Sequence, residues 1–202
     1  MQRISLVNVA HNLIKKVLHP GDFAIDATVG NGHDTLFLIE QVGPFGKVYG
    51  FDIQLTAIES TRAKVGAYRT GENALGKATL TPENLILIQA SHSDMADYIS
   101  AQHQSNISAI MFNLGYLPGG DKQIITRIDS TVSALNNASR LLSSNGIITV
   151  IAYPGHQGGD METGQVKNWC KHLNADQFKI DILYSSESND SAPRLFVIRK
   201  TL

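Results

Sequence analysis

Apolar residues recur along the chain in two alternating rhythms. Ile4, Val7, Leu13, Ile14, Val17 and Leu18 fall at roughly helical spacing. They predict an amphipathic helix over 4–18, stopped by Pro20-Gly21. Short unbroken apolar runs then occupy 22–27, 47–52, 85–89, 107–113, 147–151, 178–184 and 195–199. Runs of this length without polar alternation predict strands buried on both faces. Between them, helices are predicted at about 33–42, 54–68, 94–102, 123–142 and 162–173, the long one ended by Asn145-Gly146. Residues 70–82 are polar and glycine-containing and predict an irregular loop.

The resulting order, α-β-α-β-α-β-α-β-α-β-α-β-β, predicts an α/β fold with a mostly parallel sheet of seven strands and helices on both faces. The last connection, Ser185 to Pro193, has no room for a crossover helix, so the last strand is expected to be antiparallel. No repeat or low-complexity tract interrupts the pattern, which predicts one domain over 1–202 that includes the helix at 4–18.

Composition narrows the setting. With 43% hydrophobic and 17% charged residues the chain reads as an ordinary soluble domain, and no apolar run nears the roughly 20 residues a membrane helix needs. The opening residues lack the pattern of a signal peptide. The single Cys170 excludes a disulfide framework and a cysteine metal cluster within one chain; it fits a cytoplasmic protein without a metal site, and beside Trp169 it reads as a packed helix residue. A net charge of −1 argues against coating nucleic acid non-specifically and leaves room for a local basic patch.

Candidate chemistry lies at strand ends, where open α/β sheets bind ligands. Gly30-Asn31-Gly32-His33 follows the first strand, and free helix N–H groups after such a turn hold ligands. Asp52 ends the second strand about 20 residues on, where an acid receives ribose hydroxyls; the alternative is a turn-forming aspartate. A dinucleotide loop needs a third glycine where this chain has Thr35. Asp34 adds a negative charge in the first helical turn, which repels a pyrophosphate and otherwise stabilises the helix. The pair favours a ligand with a cationic amino-acid part, S-adenosylmethionine. Ser91 and His92, after the third strand, sit where adenine contacts or a helix cap are expected. Asn113-Leu-Gly-Tyr116-Leu-Pro118, after the fourth, can aim an acceptor amine at a methyl group, with Tyr116 a candidate to stack on a base; Pro118-Gly-Gly120 also reads as a plain turn. An aliphatic amine, with a pKa near 10, must shed a proton before it attacks.

Asp26-Ala-Thr-Val-Gly-Asn-Gly-His-Asp-Thr35, Asp52-Ile-Gln54, Ser91-His92, Phe112-Asn-Leu-Gly-Tyr-Leu-Pro-Gly-Gly-Asp121 and Tyr153-Pro-Gly-His-Gln-Gly-Gly159 together resemble a small bacterial family, the YtqB type. That family was long labelled rRNA methylases and is understood as the MnmM tRNA methyltransferases. The resemblance runs over nearly the whole chain. It implies a Rossmann-like class I methyltransferase, S-adenosyl-L-methionine as donor, and a homodimer. It also implies methylation of the 5-aminomethyl group of (2-thio)uridine at the tRNA wobble position, with the tRNA anticodon stem-loop as partner. Carried onto this chain, Asn31 and His33 line the methionine side, Asp52 and Gln54 the ribose and adenosine edge, Ser91 and His92 the adenine side, and Asn113 faces the acceptor. His33 replaces the asparagine of many relatives. His156 stands as proton acceptor, RNA contact or turn residue. Lys15, Lys16, Lys122, Arg127, Lys167 and Lys171 are candidates for anticodon-stem phosphates. The competing readings are methylation of rRNA or a small molecule, an NAD-type oxidoreductase, which the glycine spacing disfavours, and a non-catalytic nucleotide-binding module.

Overall fold

A computed structural model describes residues 5–70, 84–121, 123–155, 158–186 and 189–201. The strands are β1 (Phe23–Asp26), β2 (Lys47–Asp52), β3 (Leu85–Gln89), β4 (Ile107–Asn113), β5 (Leu142–Ala152), β6 (Phe178–Tyr184) and β7 (Arg194–Lys200). The helices are α1 (Leu6–Ile14), α2 (His33–Val42), α3 (Leu55–Thr70), α4 (Met95–Tyr98), α5 (Ile128–Leu141) and α6 (Gly159–His172).

The strands form one sheet in the order β3-β2-β1-β4-β5-β7-β6. β1 pairs in parallel with β2 and β4, so the chain reverses its direction of travel between these neighbours. Their carboxyl ends therefore diverge into a crevice, the place where such sheets hold ligands. β7 enters antiparallel between β5 and β6, as its short connection requires. One sheet face packs Ile25, Phe51 and Phe112 against Met95, Leu135 and Trp169; Cys170 is buried there and its thiol is pushed up to about 12 by burial. The other packs Val48 and Met111 against Leu6, Ile14, Phe37 and Val65. Each fully buried large side chain contributes about 1.5–3 kcal/mol, which fixes the strand ends rigidly enough to carry a site.

Local departures have physical causes. α1 is shorter than 4–18: Ser5 caps it by accepting the Asn8 N–H, and Lys16 and Val17 tighten to i−3 carbonyls before Pro20. The helix expected over 94–102 is only α4, flanked by 3-10 turns at His92–Asp94 and Ala101–His103, because Ile99 and Ser100 turn extended. α5 begins at Ile128, not 123, since the preceding residues are drawn into pairing with Gly115 and Tyr116. Asn145-Gly146 does not end α5. It lies in a register excursion of β5 between Leu142 and Ile147, with Asn145 at φ 62°. The expected loop at 70–82 lies almost entirely outside the described residues, after α3 reaches Thr70.

Candidate functional site

The glycine turn closes by main-chain bonds. Beyond β1, Ala27 N–H donates to Met111 O and Val29 N–H to Phe51 O, which carries the chain into the crevice. Gly32 N–H returns to Val29 O at 2.8 Å. Gly30 and Gly32 have φ of 51° and 73°. At Gly32 a Cβ would lie 2.5 Å from Thr61 Oγ1, so both conformation and contact demand glycine. Asp52 Oδ2 accepts the Gly30 N–H and Oδ1 the Gln54 N–H, each at 2.9 Å. A carboxylate has about four acceptor positions, so Asp52 is oriented by the backbone and keeps capacity for further donors.

Two more acids surround the turn. Asp26 is buried and accepts from Thr28 N–H at 3.1 Å and Thr35 Oγ1 at 2.6 Å. Burial, then the charge of Asp34, pushes its carboxyl up to about 7. Asp34 is also buried, and its Oδ1 lies 2.7 Å from His11 Nε2. The His11 ring stacks on Phe37 with centroids 3.8 Å apart. His11 is the partner sequence reasoning missed, since only the docking of α1 brings it there. His33 is exposed, with Lys64 Nζ 3.0 Å from its Nε2; burial holds the Lys64 ammonium below its usual range.

On the adenine side, Ser91 accepts from Ser93 N–H at 3.2 Å and Ser93 O–H at 2.7 Å, which matches its capping alternative. His92 is buried, meets Ala27 O through Nδ1 at 3.2 Å and sits edge-on to Phe112. Burial lowers its pKa, so the ring is neutral and Nδ1–H is the donor.

The wall beyond β4 is tied differently. Asn113 N–H donates to Thr28 Oγ1 at 2.7 Å, and Leu114 N–H to Ile151 O at 2.9 Å. Gly115 is held at both backbone groups by Thr126: its N–H donates to Thr126 Oγ1, and its carbonyl accepts the Thr126 N–H, both at 2.9 Å. Tyr116 bridges to Ile125 and stays 40% exposed at the rim. The Asn31 amide donates to Pro118 O at 3.2 Å and latches the two walls together.

Between the walls lies a cavity of about 570 Å³, within the roughly 300–1,000 Å³ of small-molecule sites. Gly30, Asn31, His33, Asp34, Asp52, Gln54, Ser91, His92, Asn113 and Tyr116 all line it; Gly32 stands behind, against Thr61. Ile53, Arg127 and Tyr153 line it too and were not singled out from sequence for this cavity. Ile53 is 53% exposed beside Asp52, and an uncovered β-branched side chain at a strand end was the available signal. Burial, then the charge of Asp34, raises the Tyr153 phenol. His156 and Lys122 lie outside the described residues. Among the basic candidates, Arg127 reaches the cavity, whereas Lys16 lines a second hollow with Asp22 and Asn145, at the opposite end of the sheet. Lys15 and Lys171 are exposed and Lys167 is half-buried.

This donor set suits a cation and a diol. Asp34 and Asp52 beside one turn oppose a pyrophosphate and favour a sulfonium or ammonium, while Asp52 can accept from ribose hydroxyls. Among the described residues no His, Cys, Asp and Glu group could hold a metal ion, and no helix is long and apolar enough to cross a membrane.

Comparison with known proteins agrees with this geometry. The family model described as "Putative rRNA methylase" matches residues 48–199. The chain is 40% identical over 165 residues to an Arabidopsis thaliana protein named tRNA (mnm(5)s(2)U34)-methyltransferase, chloroplastic; the match covers 79% of this chain and 57% of that one, so the chain spans just over half the length of this curated relative. A crystal structure titled as a "putative rRNA-methylase" from Clostridium thermocellum is 36% identical, with a TM-score of 0.87 over 99% of this chain and 100% of that one. Another, titled as a "putative methyltransferase" from Streptococcus mutans in complex with SAH, is 29% identical, with a TM-score of 0.81 over 98% and 99%. The fold is that of the class I methyltransferases. A matched stretch running from β2 to β7, joined to whole-chain likeness at 36% identity, decides the kinship: the chain belongs to the family described as "Putative rRNA methylase".

Proposed function

We propose that the chain is an S-adenosylmethionine-dependent N-methyltransferase, one domain acting on the 5-aminomethyl group of (2-thio)uridine at the tRNA wobble position. The observation that carries this reading is the latch from Asn31 to Pro118, which sets an acidic, cation-compatible wall and a polar loop around one cavity. The name of the Arabidopsis relative supports the choice of acceptor.

When bound, S-adenosylmethionine supplies an electrophilic methyl group. Asp52, held by Gly30 and Gln54 N–H groups, accepts from the ribose hydroxyls. Asp34, with His11 behind it, faces the cationic methionine part, and Asn31 and His33 offer polar groups beside it. Ile53, Ser91 and the neutral His92 bound the adenine region. Asn113, fixed through its N–H to Thr28, orients the acceptor amine, and Tyr116 at the rim stacks on the uridine. The Arg127 guanidinium at the cavity disfavours a protonated amine there, which helps expose its lone pair. The reading takes the enzyme as a cytoplasmic homodimer that binds the anticodon stem-loop; light scattering of the purified chain tests the pairing.

The deciding experiment incubates the chain with labelled S-adenosylmethionine and tRNA bearing 5-aminomethyl-2-thiouridine, followed by nucleoside mass spectrometry. The expected result is label in the methylaminomethyl nucleoside. Label confined to ribosomal RNA supplied in parallel, or none in either RNA, would overturn the reading.

A further inference from the structure

Glu162 is an acid on the buried face of α6, 4% exposed and outside the wall of the cavity. A buried carboxylate is costly unless it is hydrogen-bonded. Here Oε2 accepts from Thr126 Oγ1 at 2.8 Å and Oε1 from Thr131 Oγ1 at 2.7 Å, in the first turn of α6, where the helix dipole favours negative charge. A carboxylate can only accept, so the Thr126 hydroxyl must spend its hydrogen on Glu162. Its oxygen is then left as a pure acceptor toward Gly115 N–H, 2.9 Å away. The same threonine donates its own N–H to Gly115 O. Gly115, at φ 130°, sits inside the Asn113–Pro118 loop that lines the cavity.

We propose that Glu162, acting through Thr126, is a positioning residue that sets where the Asn113–Pro118 loop presents its groups to the acceptor. This inference rests on the methyltransferase reading above. Thr131 gives an internal control. It spends a hydroxyl on the same carboxylate, and its N–H returns to Arg127 O within α5's own first turn, so it reaches Gly115 only indirectly, through Glu162 and Thr126.

The test compares Thr126→Val, Thr131→Val and Thr126→Ser. Each valine removes one hydroxyl donor from Glu162 at nearly constant volume; Thr126→Val also removes the acceptor of the Gly115 N–H, so it should lose the more thermal stability. Thr126→Val is expected to lower kcat/KM for the RNA about tenfold to a hundredfold, the scale of a small misplacement of reacting groups, with S-adenosylmethionine affinity within about twofold of wild type. Thr131→Val should stay near wild type in both, and Thr126→Ser should recover most of the loss. Equal kinetic losses in the two valine variants, or a matching loss of cofactor affinity in Thr126→Val, would overturn the proposal. Amide exchange at Gly115 separates it from the reading beneath it. Exchange should quicken in Thr126→Val and not in Thr131→Val. If wild type methylates no RNA, the functional reading falls, and unchanged Gly115 exchange in Thr126→Val refutes the anchor by itself.

Discussion

The two walls of the cavity are held by different chemistry. On the wall formed after β1, β2 and β3, carboxylates grip main-chain N–H groups: Asp26 holds Thr28, and Asp52 holds Gly30 and Gln54. On the wall formed after β4, a threonine hydroxyl holds Gly115, and that hydroxyl hangs on Glu162, 36 residues farther along the chain. Charge-assisted bonds to backbone contribute about 1.5–3 kcal/mol, roughly twice a neutral bond. The first wall is therefore stiff and built to one small, charged shape. The second is a loop on a side-chain tether, which suits an acceptor that arrives as part of a macromolecule.

The largest expected effect tests the stiffness of the first wall. Gly32→Ala must hold φ near 73° and place a Cβ 2.5 Å from Thr61 Oγ1. Left-handed backbone costs about 1–2 kcal/mol and overpacking about 1–3, so a loss of roughly 2–5 kcal/mol in urea unfolding is expected. Adding Thr61→Ala should recover the contact part and leave the backbone part. Full recovery would show that the turn is less demanding than its φ values state.

Next is the division of labour between the walls. Asp52→Ala removes the acceptor proposed for ribose and frees two N–H groups, so S-adenosylmethionine affinity by calorimetry should fall about a hundredfold. Asn113→Ala should instead lower kcat about tenfold with cofactor affinity within about twofold. If Asn113→Ala loses affinity as Asp52→Ala does, the second wall holds the cofactor and the comparison collapses.

The same contrast explains what the sequence made legible. α2, β2 and β3 have the bounds expected of them, because their determinants are local: a glycine turn, unbroken apolar runs, an acid at a strand end. Of the acceptor loop, only Asn113 to Pro118 was readable. The residues after it looked helical from 123, yet Gly115 and Tyr116 draw Ile125 and Thr126 into extended pairing, a partnership across the loop that spacing does not encode. Asp34 was readable as a charge, but His11 reaches it from 23 residues earlier, through the packing of α1. Glu162 left a faint signal: it shares a helix stripe with the buried Val166 and Trp169, where a charge needs partners.

The smallest effect separates the walls by titration. Asp26 and His92 are both buried at the base of the first wall, Asp26 accepting from the Thr28 N–H and His92 bonded to Ala27 O. Burial raises the Asp26 carboxyl from its ordinary 3.8 to about 7, so the folded chain keeps a proton that the unfolded chain has lost. Its contribution to stability is complete below 3.8 and disappears as pH rises through about 7. Burial lowers His92 from its ordinary 6.5, so the unfolded chain takes up a proton first. That contribution is complete above 6.5 and is lost as pH falls. Over the shared range the two slopes offset each other, each at most about 1.4 kcal/mol per pH unit. Asp26→Asn should expose the His92 slope, with stability rising with pH on the acid side of 6.5 in urea melts. His92→Asn keeps a donor near the Nδ1 position and should expose the opposite slope, with stability falling over the same interval. Asn113→Ala removes no titratable group and should retain the wild-type profile. A changed slope there would mean that the second wall feels the charges of the first, and that the two walls form one electrostatic unit.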